Sequence, residues 1–171
     1  MSTNNDQQLF GFGKPATDTE IAGWNIDIRP DGTGLPPGSG TVKEGEALFQ
    51  KLGAPCHGKN GEGTDAAPAL VGGFDTLNTD KPVKTVGSYW PYATTLFDYI
   101  HRAMPATAPQ SLTPDEVYAI CAYLLYLNKI VPEDAVMNQD TLPKVIMPNH
   151  DGFTSPDPRP DVFDRIPAPK S

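Results

Sequence analysis

The chain has 171 residues, 38% of them apolar, with 19 prolines, 16 glycines and a formal net charge of −8, a length that suits one ordinary domain with residues left over for arms. The acidic balance makes nucleic acid and anionic lipid surfaces poor partners, and no apolar run approaches the ~20 residues that cross a bilayer. The abundance of proline and glycine predicts much loop and extended backbone, and the polar start from Met1 to Asp6 carries no signal-peptide pattern.

Residues 1–40 read as an extended N-terminal arm, because Gly32, Gly34, Pro36, Pro37, Gly38 and Gly40 crowd its end. Its apolar anchors are Ile21, Trp24, Ile26 and Ile28, and the alternation from Trp24 to Ile28 predicts a short edge strand or a docked segment. A helix follows, opened by Thr41 and Glu44 as a capping box and carrying Ala47, Leu48 and Leu52 as its buried stripe. It should end near Gly53, since Pro55 is incompatible with its continuation, leaving Gly53 to Gly58 as a turn. Residues 58–93 form a loop long enough to be functional or wrapped on something large. A second helix is expected from about Thr94 to Ala103, with Leu96, Ile100 and Ala103 at helical spacing.

The third helix has the strongest signature: Thr113 as cap, Pro114 at the first helical position, Glu116 closing the box, and Leu112 stapled onto Val117. It should run to about Lys129 and bury Val117, Ile120, Cys121, Leu124 and Leu125 along one stripe. Residues 41–130 therefore form the body. Beyond Val131, prolines at 132, 143, 148, 156, 158, 160, 167 and 169 predict a second arm, 131–171, without regular structure.

Helix, Cys56-His57 turn, long loop, short helix, Met104-Pro105 and C-terminal helix, in that order, resemble c-type cytochromes with one haem and His/Met ligation. In that family a Cys-x-x-Cys-His motif bonds two porphyrin vinyls and fixes the imidazole beneath the iron. Here the motif reads Gly53-Ala54-Pro55-Cys56-His57. The resemblance implies an all-α cytochrome c fold around one haem c, attached by a single thioether through Cys56, with His57 and Met104 on the iron. It also implies that Pro68, in Pro68-Ala69-Leu70, accepts the proton of the ligating histidine. Gly45 and Phe49 would meet Ala122, Tyr123 and Leu124 where the first and last helices cross. Tyr89, Trp90 and Tyr92 would close the pocket, and Arg102 is a candidate partner for a haem propionate, with a surface salt bridge as the alternative. Met147 is a rival distal ligand to Met104. Cys121 reads as a small core residue, His101 as a solvated helix residue, and His150 as part of the arm; a Cys56–Cys121 disulfide and a zinc site are the discounted alternatives.

The stretches Ile21–Pro37, Gly87–Thr94, Asp98–Pro105 and Met147–Phe153 resemble more closely the cytochrome subunits of bacterial sulfur-oxidising molybdenum enzymes, sulfite dehydrogenase and sulfane dehydrogenase. That implies single-electron transfer from a molybdenum-containing dehydrogenase subunit to a soluble electron-acceptor cytochrome, in the periplasm. Two alternatives stand beside it: a haem enzyme with an open distal site, and a haem-free module whose arms bind a partner.

Overall fold

The computed structural model describes residues 13–154; the expectation placed on Pro156, Pro158, Pro160, Pro167 and Pro169 lies outside them. In chain order the elements are α1 (Asp18–Trp24), β1 (Ser39–Thr41), α2 (Val42–Leu52), α3 (Ala54–His57), α4 (Val86–Tyr89), α5 (Ala93–Ala103), α6 (Pro114–Leu127), β2 (Val136–Asn138) and a 3-10 turn at Leu142–Lys144. Among the described residues, no helix is long and apolar enough to cross a membrane.

The molecule is built around α6. Thr113 accepts from the Glu116 amide while the Glu116 carboxylate accepts from Thr113, and caps of this kind are worth about 1 kcal/mol. The expected stripe of Val117, Ile120, Cys121, Leu124 and Leu125 is buried, but so are Tyr118, Ala119, Ala122 and Tyr123. A helix apolar all round must be covered all round. The covers are α2, α5, and the two short strands, which pair antiparallel with Gly40 opposite Met137.

On α2 the Thr41–Glu44 box forms as expected. The buried face differs from the expected one: Val42, Gly45 and Phe49 point inward, Leu48 and Leu52 are half-buried, and Ala47 is exposed. Gly45 sets this face. A Cβ there would collide with the backbone carbonyl of Ala119 and lie 2.8 Å from Tyr123 Cβ, so glycine lets the two helices cross in backbone contact. Beside it, the Phe49 and Tyr123 rings meet at 5.5 Å, tilted by 49°. On α5 the inward residues are Ala93, Thr94, Leu96, Phe97 and Ile100, with the Phe97 ring 4.6 Å from that of Tyr118. The Tyr118 hydroxyl donates to Pro36 O at 2.8 Å, and burial pushes its pKa up to about 12.

Both arms carry more structure than their composition predicts. Thr17 and Glu20 form a further capping box, which starts α1. Trp24 ends that helix, so the Trp24–Ile28 alternation makes no strand; instead the Ile28 amide donates to Asp98 Oδ1 on α5 at 3.3 Å. In the C-terminal arm, β2 and the 3-10 turn form despite Pro132 and Pro143. Pro132 lies ahead of the strand, and Pro143 sits in the first turn of the 3-10 helix, where its missing N–H leaves nothing unpaired. Met137, Leu142 and Met147 from this arm are all buried in the core.

Candidate functional site

Glycine at 53 adopts a helical φ of −101° and ψ of −43°, so the chain runs on from α2 into the four-residue helix α3 rather than into an open turn. Pro55 falls in the first turn of α3, where a proline leaves no helical hydrogen bond broken. The His57 amide donates to Gly53 O at 2.9 Å, and Gly58, at φ +83°, ends the turn. Cys56 and His57 are thereby held on consecutive positions of a rigid turn.

The following loop wraps back over this turn. The Gly63 amide donates to His57 O at 2.7 Å, and the Thr64 hydroxyl donates to Cys56 O. The Leu70 amide donates to Gly61 O at 2.8 Å. Asn128, buried at the end of α6, ties the loop down: its Nδ2 donates to Leu70 O at 3.1 Å, and its Oδ1 accepts from the Gly72 amide at 3.3 Å. Sequence reasoning missed Asn128, because nothing near it in the chain signals a partner in the loop.

This scaffold sets His57 Nδ1 2.9 Å from Pro68 O. The carbonyl oxygen can only accept, so Nδ1 carries the proton and Nε2 is left with a lone pair. Among the described residues Nε2 has no hydrogen-bond partner.

His57 lines a cavity of about 460 Å³ whose wall is mostly apolar. Cys56, Gly53, Pro68, Leu70, Trp90 and Met104 also line it, with Leu96, Ile100, Ile120 and Leu124 behind them. Met104 follows directly after α5, while Cys56 and His57 come from α3, so the cavity lies between these elements and α6. Ligand cavities of this kind span roughly 300–1,000 Å³.

Several expected residues lie elsewhere. Tyr89 and Tyr92 do not line the cavity, because both are taken up by the C-terminal arm. The Tyr89 ring meets Phe153 at 5.3 Å and its carbonyl accepts from Asn149, while Tyr92 bridges to Ile146 and meets His150 at 5.4 Å. Arg102 does not line it either. Its Nε donates to both Asp98 oxygens at 2.9 and 3.0 Å and a terminal nitrogen pairs with Asp27, contacts that raise its pKa, Asp98 foremost. Arg102 therefore pins the N-terminal arm to α5. Met147 is buried among core residues and lines a separate surface groove with Phe74 and Asn128, away from His57. Cys56 is exposed, Cys121 is fully buried, and both are free thiols; burial pushes the Cys121 thiol up. His101 is half-buried rather than solvated: its ring packs at 6.0 Å from Phe97 and its Nδ1 is buried without a partner. Among the described residues Lys84 is the one lysine, arginine or carboxylate that lines the cavity, and nothing in its sequence surroundings signals it.

The donor set fits a haem c. One imidazole has a free Nε2, one thioether and one thiol line the same mostly apolar cavity, and among the described residues no acidic side chain lines it. At Gly53 a Cβ would lie 2.6 Å from two ring carbons of Phe49, and among the described residues Cys56 is the one thiol that lines the cavity.

No curated protein matches the chain. Among solved structures, the sulfane dehydrogenase SoxCD from Paracoccus pantotrophus contains a chain that is similar to this one at 45% identity, with a TM-score of 0.82, over 92% of this chain and 79% of that one. The sequence model described as Cytochrome c matches residues 42–128, the span that runs from the start of α2 through the Cys56-His57 turn and Met104 to the Asn128 bracket, and the chain belongs to the cytochrome c family.

Proposed function

We propose that the protein carries single electrons on one haem c, which Cys56 alone would attach and whose iron His57 and Met104 would hold. The observation that supports this best is the convergence of His57 and Met104 on one apolar cavity, with His57 Nδ1 held by Pro68 O. When bound, the haem supplies a one-electron couple between ferrous and ferric iron. The chain's residues do the rest. Pro68 fixes the imidazole tautomer and raises its basicity, and a neutral thioether at Met104 favours a high potential. The apolar wall of Leu70, Leu96, Ile100, Ile120 and Leu124 keeps water from the iron.

The electron donor in this reading is a molybdenum-containing dehydrogenase subunit oxidising a sulfur compound, and the acceptor is a soluble cytochrome, in the periplasm. The likeness to a chain of the SoxCD sulfane dehydrogenase supports the donor. A net charge of −8 supports an acceptor with a basic docking face.

A pyridine haemochrome spectrum beside acid-acetone extraction tests the attachment. An alpha band between those of two-thioether and free-vinyl haem, with colour kept on the protein, is expected. Extractable haem refutes the Cys56 bond, and absence of haem refutes the electron-carrier reading. Carbon monoxide added to the ferrous protein should leave the spectrum unchanged, because a six-coordinate iron has no open position; rapid binding would favour a haem enzyme over an electron carrier.

A further inference from the structure

Apart from the Cys56-His57 turn and Thr107, the polar groups of the cavity wall lie toward the approach to α4 and the middle of α5, where Lys84, Thr85, Trp90 and Tyr99 line it. The Lys84 ammonium, the Trp90 indole N–H and the Tyr99 hydroxyl have no hydrogen-bond acceptor and no ion-pair partner among the described residues. All three line the same cavity: the Trp90 and Tyr99 rings meet edge-on at 5.5 Å, and Lys84 Nζ rests over the Tyr89 ring, 4.9 Å from its centroid, on a long flexible stem. Lys84 is exposed, and a cation–ring contact at such a site gains only about 0.5–1 kcal/mol, so the ammonium stays available to an anion. Donors without acceptors at the edge of an apolar cavity suit a ligand with an apolar body and an anionic margin. The basic residue first expected in this role, Arg102, is fully used by Asp98 and Asp27.

We propose that Lys84, with Trp90 and Tyr99, receives the carboxylate margin of the prosthetic group, and that the Lys84 charge raises the haem potential. This rests on the haem reading above. A cation held at the margin opposes the extra positive charge of the ferric state and offsets the carboxylates that would favour it. Lys84 is a positioning residue; it does not touch the reacting iron.

The test is equilibrium redox titration of the haem-loaded protein, with haem content measured for each variant. Lys84→Gln should shift the midpoint to lower potential and keep most of that shift at 0.5 M salt, whereas an unengaged surface charge would be screened. Lys84→Arg should restore the wild-type value. Lys81→Gln, an exposed lysine three residues away that does not line the cavity, should leave it unchanged. Haem lost from Lys84→Gln but kept by Lys84→Arg would support the same anchor. A fully loaded Lys84→Gln protein with an unshifted midpoint, or with a shift matched by Lys81→Gln or abolished by salt, overturns the proposal while leaving the electron-carrier reading intact. A wild-type chain without haem overturns both.

Discussion

Gly53→Cys places a thiol at the first attachment position, and its consequences can be worked from local geometry. The backbone accepts the change, because φ −101° and ψ −43° are helical values open to any L residue. The obstacle is Phe49, whose Cδ2 and Cε2 lie 2.6 Å from the new Cβ. Carbon contacts settle near 3.5–4.0 Å, so the ring must move by about 1 Å. Rotating a side chain off its preferred rotamer costs about 0.5–1.5 kcal/mol, while exchanging glycine for cysteine in a helical position returns about 0.3 kcal/mol. The net loss is about 0.2–1.2 kcal/mol, and each kcal/mol corresponds to about 2–4 °C in melting temperature for a chain of this size. That is small against a covalent bond, so the variant should fold and acquire a second thioether. The assay is the pyridine haemochrome spectrum, in which the alpha band should move to the two-thioether position. Adding Phe49→Leu removes the ring and should make the second attachment more complete. A folded, haem-loaded Gly53→Cys protein whose alpha band stays at the single-thioether position would show that residue 53 does not face a porphyrin vinyl, and would refute the placement of the haem.

Two further outcomes follow from the scaffold. Gly45→Ala should destabilise the protein by about 1–3 kcal/mol in a denaturant titration, although alanine is the better helix former, because its Cβ collides with the Ala119 carbonyl where α2 crosses α6. Equal or greater stability would mean that the helices cross less closely. The second concerns acid. Hydrogen bonds from the Thr41 hydroxyl and amide hold the Glu44 carboxyl below its ordinary range. A depressed carboxylate contributes stability above its unfolded pKa and loses it as the pH falls through its folded pKa. Melting temperature should therefore decline as the pH drops through the lower carboxylate range. Glu44→Gln, which keeps an acceptor for the Thr41 amide, should decline less; an identical acid profile for both proteins would contradict the capping box.

What the sequence made legible follows from how far apart the interacting groups are. The boxes at Thr41 and Thr113 join residues three apart, so both were readable, and the same holds for Cys56 beside His57. Thr17 and Glu20 have the same spacing but precede Ile21 and Trp24, both of which remain exposed, so no buried stripe advertised α1. The box at Thr85 was missed because Ser88, not an acid, closes it. Pairing of β1 with β2 joins the two arms across the body, and strands of three residues have no periodicity to read. Arg102 illustrates the limit: Asp98 stands one helical turn before it, within reach of a sequence argument, but Asp27 arrives from the N-terminal arm and decides its role. The complete burial of α6 is equally non-local, since a one-sided stripe and an enclosed helix differ only in what the rest of the chain brings to the second side.

The core contribution of the C-terminal arm bears on where the protein could be trimmed. The family match ends at residue 128, and a chain cut just after it would contain the whole ligand set. It would also lose Met137, Leu142 and Met147 from the core and the strand opposite β1. The flank of α6 on which β2 packs would then be open to water, and each lost apolar side chain was worth about 1.5–3 kcal/mol in burial. Natural domains hold only about 5–15 kcal/mol in total. The segment matched by family is thus shorter than the segment that folds, and a soluble minimal protein would have to extend at least through Met147.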